Sequence, residues 1–367
     1  MVKFLDLHRQ YLSIQAEVDE AIRQTLRDSS FIGGPAVRAF EREFAAYQQV
    51  AHCAGVANGT DALEVALEAL ALPPGSEVIV PANSFIASSE VVTRSGHRVV
   101  FADVDPDDYT LDIENVAVRI TPRSKAIIAV HLYGHPCDME ALTELSRAHG
   151  IRVIEDCAQS HGAEVAGRRV GGIGDIAAFS FYPGKVLGAY GDAGAITTND
   201  PALAERCRMI ANHGRSEKYN HAFEGRNSRL DGLQAAILRV KLKRLEQWVE
   251  HRNRVADRYL RELQGSCITL PAVRPWARHA FHLFVIRSER RDDLAAFLAR
   301  AGIETGVHYP VALPDLPAYS YLPRDGAPAR ASAYAGQVLS LPMGEHLEDD
   351  DVQAVIDAVR AWCGRSH

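Results

Sequence analysis

The residues able to do chemistry cluster around a lysine. Lys185 ends the run Ala178-Phe179-Ser180-Phe181-Tyr182-Pro183-Gly184-Lys185 and is followed by Val186 and Leu187. A lysine in a Gly/Pro-rich loop is ordinarily a surface residue. Apolar neighbours on both sides predict partial burial, which lowers an amine's pKa and makes it a nucleophile toward carbonyls. Ser180, five residues earlier, offers a hydroxyl to a phosphate. Upstream, Ile154-Glu155-Asp156-Cys157-Ala158-Gln159-Ser160 sets a carboxylate just past an apolar run. Such an aspartate can equally cap a turn. Ala57-Asn58-Gly59-Thr60-Asp61 reads as strand, glycine turn and helix start, where free N–H groups and the helix dipole attract an anion. A fourth stretch, Gly225-Arg226-Asn227-Ser228-Arg229-Leu230-Asp231-Gly232, carries polar residues into a helix and reads as a capped helix start. Alone, each is ambiguous. Together, an acid for a pyridinium, a lysine for an aldehyde and a phosphate cradle describe a pyridoxal phosphate site.

These residues need a frame. Short apolar runs at Cys53–Ala57, Glu77–Val80, Val99–Ala102, Ala126–Val130, Arg152–Ile154, Ile176–Ser180 and Ala195–Thr198 predict strands. Helical stretches near 60–71, 84–95 and 138–149 fall between them, after helices at 10–27 and 35–48. The alternation implies an α/β fold with a mostly parallel central sheet covered on both faces, and ligands beyond the strands' carboxyl ends. From 231 to 263, apolar residues at helical spacing predict one long amphipathic helix linking two lobes. A large α/β domain over residues 1–250 and a smaller α+β C-terminal lobe over 251–367 are expected, the latter with a strand at His282–Ile286 and helices near 291–301 and 348–362.

Composition excludes some functions. A net charge of −7 argues against nucleic acid as a partner, because neutralising phosphates needs a basic face. No uninterrupted apolar run could span a bilayer, and the charged N-terminus lacks the apolar core of a signal peptide, so a cytoplasmic protein is expected. The six cysteines are scattered without paired spacing and are expected to be buried, unpaired hydrophobes. No metal is expected, since His131, His135 and His161 lack ligand spacing. Val170-Gly171-Gly172-Ile173-Gly174-Asp175 precedes a strand rather than opening a helix, which argues against a dinucleotide fingerprint.

Taken in order, FIGGPAVRAFEREFAAY, SFYPGKVLGAYGDAGA, NSRLDGLQAAIL and GIETGVHYPV resemble the DegT/DnrJ/EryC1/StrS sugar aminotransferases over nearly the whole chain. The resemblance implies the pyridoxal-phosphate-dependent transferase fold of aspartate aminotransferase type I. It implies that Lys185 forms the Schiff base, Asp156 pairs with the pyridine nitrogen and Gln159 lies near the ring oxygen. Gly59, Thr60 and Ser180 would bind the phosphate, and Phe85 would stack on the ring. Asn227 would reach the phosphate from the other subunit of a homodimer. Lys185 also argues against the family's dehydratases, which carry histidine there. Val186, Ala193 and Arg226 depart from the usual pattern, and Arg226 is the one expected to alter substrate choice.

The expected reaction moves an amino group from L-glutamate to a nucleotide-linked keto sugar for amino-sugar biosynthesis. The stretches 212–219 and 227–231 resemble the subgroup acting at C3, which favours a dTDP-3-oxo-6-deoxyhexose. A UDP-linked 3-oxo uronic acid, a 4-keto sugar and a keto-cyclitol are the alternatives, and a non-catalytic cofactor-binding regulator is the remote one. Arg229, His308 and Tyr309 are the candidates for contacting the sugar or donor carboxylate.

Overall fold

The structure, a computed structural model, describes residues 1–323 and 328–365. Seven strands form the central sheet in the order His52–Val56, Gly194–Thr198, Ile176–Ser180, Arg152–Asp156, Ser124–Val130, Glu77–Pro81, Arg98–Ala102. Gly194–Thr198 runs antiparallel to both neighbours, and the remaining pairings are parallel. Parallel strands need crossovers that cover both faces, so their sequences read as continuous apolar runs. Ser124–Val130 is of this kind, with Ala126, Ile127, Ile128 and Ala129 fully buried.

Two apolar layers flank the sheet. One gathers Val65, Ala66, Val91 and Val92 from the helices Gly59–Ala69 and Ala87–Arg94. The other gathers Phe40 and Phe44 of helix Gly34–Gln48 with Phe179 and Phe181. The outer edge of His52–Val56 is closed by side chains. Arg208 donates to the Cys53 carbonyl at 2.9 Å, and Glu41 accepts from the Gly55 N–H at 2.8 Å. Such caps keep an edge strand from pairing with another chain.

Three expectations fail. The long helix predicted over 231–263 is two helices, Gly232–Leu242 and Leu245–Glu262, joined at Lys243 and Arg244. Both joining residues keep near-helical backbone angles, so the apolar spacing runs through the break unaltered. The first helix packs on Gln15–Arg27 and Gly34–Gln48, and the second on Asp349–Cys363, which one straight rod could not do. Likewise the helix expected at 10–27 divides at Ile14 into Leu7–Ser13 and Gln15–Arg27, and the buried Ile14 joins a small cluster with Val18 and Trp248. Cysteine pairing is the third failure. Cys267 and Cys363 form a disulfide with Cα atoms 5.4 Å apart, although 96 residues separate them in sequence. They meet because the C-terminal helix packs beside the segment after Leu245–Glu262. Cys53, Cys137, Cys157 and Cys207 are free and buried, as expected.

A further core lies C-terminal to the sheet. Val255, Ala256 and Tyr259 pack with Phe284 and Ile286 of strand Phe284–Arg287, with Leu294 and Leu298 of helix Arg291–Arg300, and with Val355, Ile356 and Val359 of helix Asp349–Cys363. Among the described residues no helix is long and apolar enough to cross a membrane.

Candidate active site

A cavity of about 630 Å³ opens where Ile176–Ser180, Arg152–Asp156 and Ser124–Val130 end. Open α/β sheets bind ligands at these carboxyl ends. Of the residues singled out in the sequence, Gly59, Thr60, Phe85, Asp156, Gln159, Ser180, Lys185, His308 and Tyr309 line it. Asn227 and Arg229 do not.

The loop that carries Lys185 is held by its own backbone. The Lys185 N–H donates to the Tyr182 carbonyl and the Ala189 N–H to the Phe181 carbonyl, each at 2.8 Å. Phe181, Val186 and Leu187 are buried as their apolar character predicts, whereas Tyr182 is 60% exposed. From the helix behind, Lys241 donates to the Gly188 carbonyl at 2.5 Å. Burial pushes the Lys185 amine down from 10.5 to about 8, with the Asp156 carboxylate opposing the shift. An amine in this range is neutral, and therefore nucleophilic, in about a tenth of molecules at pH 7, far more than an ordinary lysine.

Asp156 is both a turn cap and an aimed carboxylate. Its Oδ1 accepts from the Ala158 N–H at 3.1 Å, and its Oδ2 accepts from the Ser88 hydroxyl at 2.8 Å. Ser84 and Ser88 share a further hydrogen bond at 2.8 Å. Gln159 Oε1 accepts from the Tyr133 N–H at 2.6 Å, and its Nε2 donates to the Tyr309 hydroxyl at 3.1 Å. Tyr133 donates in turn to the His308 carbonyl. One network thus fixes the amide of Gln159 and the segment bearing His308 and Tyr309.

The helix Gly59–Ala69 starts against the end of strand Ile176–Ser180. Asn58 caps it, accepting from the Asp61 N–H at 2.8 Å. First-turn N–H groups have no acceptor within the helix, so those of Gly59 and Thr60 are offered beside the Ser180 hydroxyl. Only glycine allows the approach, because a Cβ at position 59 would lie 2.5 Å from Ser180 Cβ. A cradle for an anion, an acid and a depressed lysine therefore share one cavity, and they suit pyridoxal phosphate. Phe85, 55% exposed, stands over the cavity with its ring 6.1 Å from that of Tyr309.

His308 donates to or accepts from the Ser340 hydroxyl at 2.8 Å through Nδ1. Burial, then the charge of Lys185, pushes it down to about 4, so it offers hydrogen bonds and not a positive charge. Arg226, expected to influence substrate choice, pairs with Glu64 and with Glu68 at 2.5 Å. The start of helix Gly232–Leu242 is not capped by the side chain of Asp231, contrary to the sequence reading. Asn227 is exposed and Arg229 half-buried, both in the segment that follows the hairpin Arg215–Glu217 and Asn220–His221.

Sequence spacing missed a buried cluster of His131, Glu155 and Cys157. Glu155 accepts from the N–H groups of Gly171, Ile173 and Gly174, each at 2.8 Å, and meets His131 Nε2 at 3.0 Å. Burial alone would raise the carboxyl, yet the bonds from His131 and the backbone hold it below its ordinary value. The cluster anchors the glycine-rich loop 170–175 beneath strand Arg152–Asp156, and the hydrogen bonds already occupy both oxygens of Glu155. Spacing also missed His282 and Arg252, which line the cavity from the C-terminal side.

The depressed amine has a measurable consequence. In cofactor-free protein the neutral fraction of Lys185 rises about tenfold per pH unit up to about 8 and then saturates. The rate of pyridoxal phosphate uptake, followed by stopped-flow absorbance, is expected to level off near pH 8. A rate still climbing above pH 10 would show an ordinary lysine.

The model of the DegT/DnrJ/EryC1/StrS aminotransferase family matches residues 12–360. The chain is 48% identical over 366 residues to the dTDP-3-amino-3,4,6-trideoxy-alpha-D-glucose transaminase of Streptomyces venezuelae, covering 99% of this chain and 97% of the relative. It is also 48% identical to the erythromycin biosynthesis sensory transduction protein EryC1 of Saccharopolyspora erythraea, covering 98% and 99%. The crystal structure of S. venezuelae DesV in complex with a ketimine intermediate superposes with a TM-score of 0.97, covering 100% of this chain and 99% of that one. By match and by fold, this chain belongs to the DegT/DnrJ/EryC1/StrS aminotransferase family and is a pyridoxal-phosphate-dependent enzyme.

Proposed function

We propose that this enzyme moves the amino group of L-glutamate to C3 of a nucleotide-linked sugar, a dTDP-3-oxo-6-deoxyhexose. The reading is carried by the joint placement of Lys185, Asp156 and the Gly59–Thr60–Ser180 cradle in one cavity, in a chain 48% identical to a dTDP-3-amino sugar transaminase. Bound there, pyridoxal phosphate supplies an aldehyde that exchanges amines and a ring that accepts electrons. Gly59, Thr60 and Ser180 would hold its phosphate, and Phe85 would cover its ring. Asp156 would hold a proton on its ring nitrogen, and Gln159, braced by Tyr133, would serve its ring oxygen. The Nζ of Lys185 takes the proton from the donor carbon and returns one to the acceptor carbon. Positioned proton transfer of this kind contributes about 10²–10⁴-fold.

The cavity favours a 6-deoxy sugar over a uronic acid. Phe4, Leu5, Leu63, Leu283 and Met343 make much of its lining apolar, and Arg252 is already paired with Glu345 at 2.8 Å. A carboxylate at C6 would need a free cation there, whereas a methyl group needs only apolar contact. His308 and Tyr309 contact the sugar. Asn227 and Arg229, exposed or half-buried outside their own chain's cavity, serve the partner's site in a homodimer, Asn227 on the phosphate and Arg229 on the donor carboxylate. Exposed Phe31, Ile32 and Tyr182 provide apolar surface for that contact.

The test is a panel of nucleotide-linked 3-keto and 4-keto sugars and keto-cyclitols offered to enzyme pre-loaded with amine from glutamate. Transfer to the dTDP-3-keto-6-deoxy sugar is expected. Transfer only to a 4-keto sugar or a cyclitol would overturn the assignment, and no transfer to any acceptor would leave a regulator. For the shared site, Asn227→Ala and Lys185→Ala subunits are mixed. Each heterodimer keeps one intact site by two-fold symmetry, so random exchange should restore roughly a quarter of wild-type activity. No recovery in a mixture shown by mass spectrometry to contain heterodimers would place Asn227 in its own subunit's site.

A further inference from the structure

The segment Ala280–Leu283 crosses the cavity wall, and the cofactor residues do not account for how it is built. Its backbone is tied on both sides. The Ala280 N–H donates to the Gly134 carbonyl at 2.9 Å and the Leu283 N–H to the Tyr133 carbonyl at 3.1 Å. Arg252 Nη1 donates to the carbonyls of Phe281 at 3.1 Å and His282 at 3.3 Å. Arg252 is 1% exposed, and Glu345 balances its charge. Gly134, at φ +104°, packs so close that a Cβ there would lie 2.9 Å from Phe281 N and 3.0 Å from His282 N. Phe281 itself sits at φ +43°, the left-handed region. A non-glycine residue stays there only where its surroundings over-determine it, and such residues gather at functional sites.

This brace sets His282 in the cavity wall. Its Nδ1 is buried with no hydrogen-bond partner among the described residues. A neutral imidazole carries one N–H, and a buried orphan N–H is rarer than a buried orphan acceptor. The proton therefore belongs on Nε2. Burial, then the charges of Lys185 and Arg252 with His308 and His161 nearby, holds the ring well below the ordinary imidazole value, so it remains neutral at physiological pH. Asp156 and Ser180 approach from the sheet and Gly59 from the helix start beside it, whereas His282 approaches from the segment leading into strand Phe284–Arg287.

The geometry points to His282 as a further substrate-binding residue, its Nε2–H donating a hydrogen bond to an oxygen of the acceptor sugar. This rests on the reading of the acceptor as a nucleotide-linked sugar. Losing such a bond while leaving the sugar oxygen unpaired lowers affinity about 10- to 100-fold.

The test compares His282→Leu with His282→Gln, whose amide N–H can stand in for Nε2–H. Both variants are expected to keep wild-type cofactor content and to react with glutamate within about twofold of the wild-type rate. By calorimetry on enzyme pre-loaded with amine from glutamate, affinity for the amino-sugar product should fall about 10- to 100-fold in His282→Leu and largely recover in His282→Gln. Affinity for the nucleoside diphosphate alone should not change. Equal product affinity in wild type and His282→Leu would overturn the assignment, as would an equal loss with the diphosphate alone. A wild-type protein that binds no nucleotide-linked amino sugar would instead remove the sugar-acceptor reading itself. Should His282→Leu fail to fold, the ¹⁵N resonance of the His282 Nε2–H in wild type decides. It should move on product binding, and a stationary signal would overturn the proposal.

Discussion

Replacing Lys185 with alanine is expected to lower amine transfer by about 10⁴-fold. The cradle of Gly59, Thr60 and Ser180 and the Asp156 carboxylate remain, so the variant should still bind pyridoxal phosphate, but without a covalent bond that borohydride can fix. On the proposed reading, what is lost is the one lysine amine lining the cavity among the described residues, which attaches the cofactor and moves the proton. Lys241, also pushed down to about 8 by burial, cannot substitute, because it is wholly enclosed and donates to the Gly188 carbonyl. The loss is chemical rather than structural. A lysine whose folded pKa lies near 8, against 10.5 when unfolded, gives up its proton more readily in the fold. Stability then rises with pH between those values, and below pH 8 the full penalty of burying the cation is present. Removing the amine relieves that penalty, so Lys185→Ala should unfold at a temperature no lower than wild type at pH 7. Single-turnover kinetics and thermal unfolding measured together check both halves. Activity within tenfold of wild type would remove Lys185 from the reaction.

Asp156→Asn should cost about 10²–10³-fold in the same reaction, the scale seen when one electrostatic stabiliser is removed. The amide keeps the shape and can hold its neighbours. Its oxygen can accept from the Ala158 N–H, and the Ser88 hydroxyl can reverse to accept from the new amide N–H. The negative charge goes. Because Asp156 opposes the downward shift of Lys185, the variant's amine should fall further below about 8. The levelling-off of cofactor uptake should therefore move to lower pH. A variant with near-normal turnover would refute the pyridine-nitrogen role, and an unmoved pH profile would show that the two groups are not coupled.

Much of this site was legible because its parts are local. Lys185, Ser180 and the apolar residues between them lie within one strand and turn, and Gly59 with Thr60 lies within one turn and helix start. The alternation of strand and helix alone puts them at the same sheet edge. His282 was not legible. Its meaning depends on Arg252 thirty residues earlier, Gly134 much farther back, and Glu345 near the other end of the chain. The partners of Arg226 were not legible for the same reason, since nothing nearby in sequence announces Glu64 and Glu68.

The sequence by itself determined the fold class and the cofactor, and it singled out Lys185 as the lysine proposed to serve it. Each follows from patterns of period two or 3.6 and from short motifs, and the backbone enforces those over a few residues whatever the rest of the chain does. Tertiary structure alone decided the break at Lys243 and Arg244, the pairing of Cys267 with Cys363, and the strut of His131, Glu155 and Cys157. It also decided which charges are spent within the fold and which groups still face the cavity. Those outcomes depend on contacts between residues far apart in the chain, and hydrophobic periodicity carries no record of which distant polar group a buried one will meet.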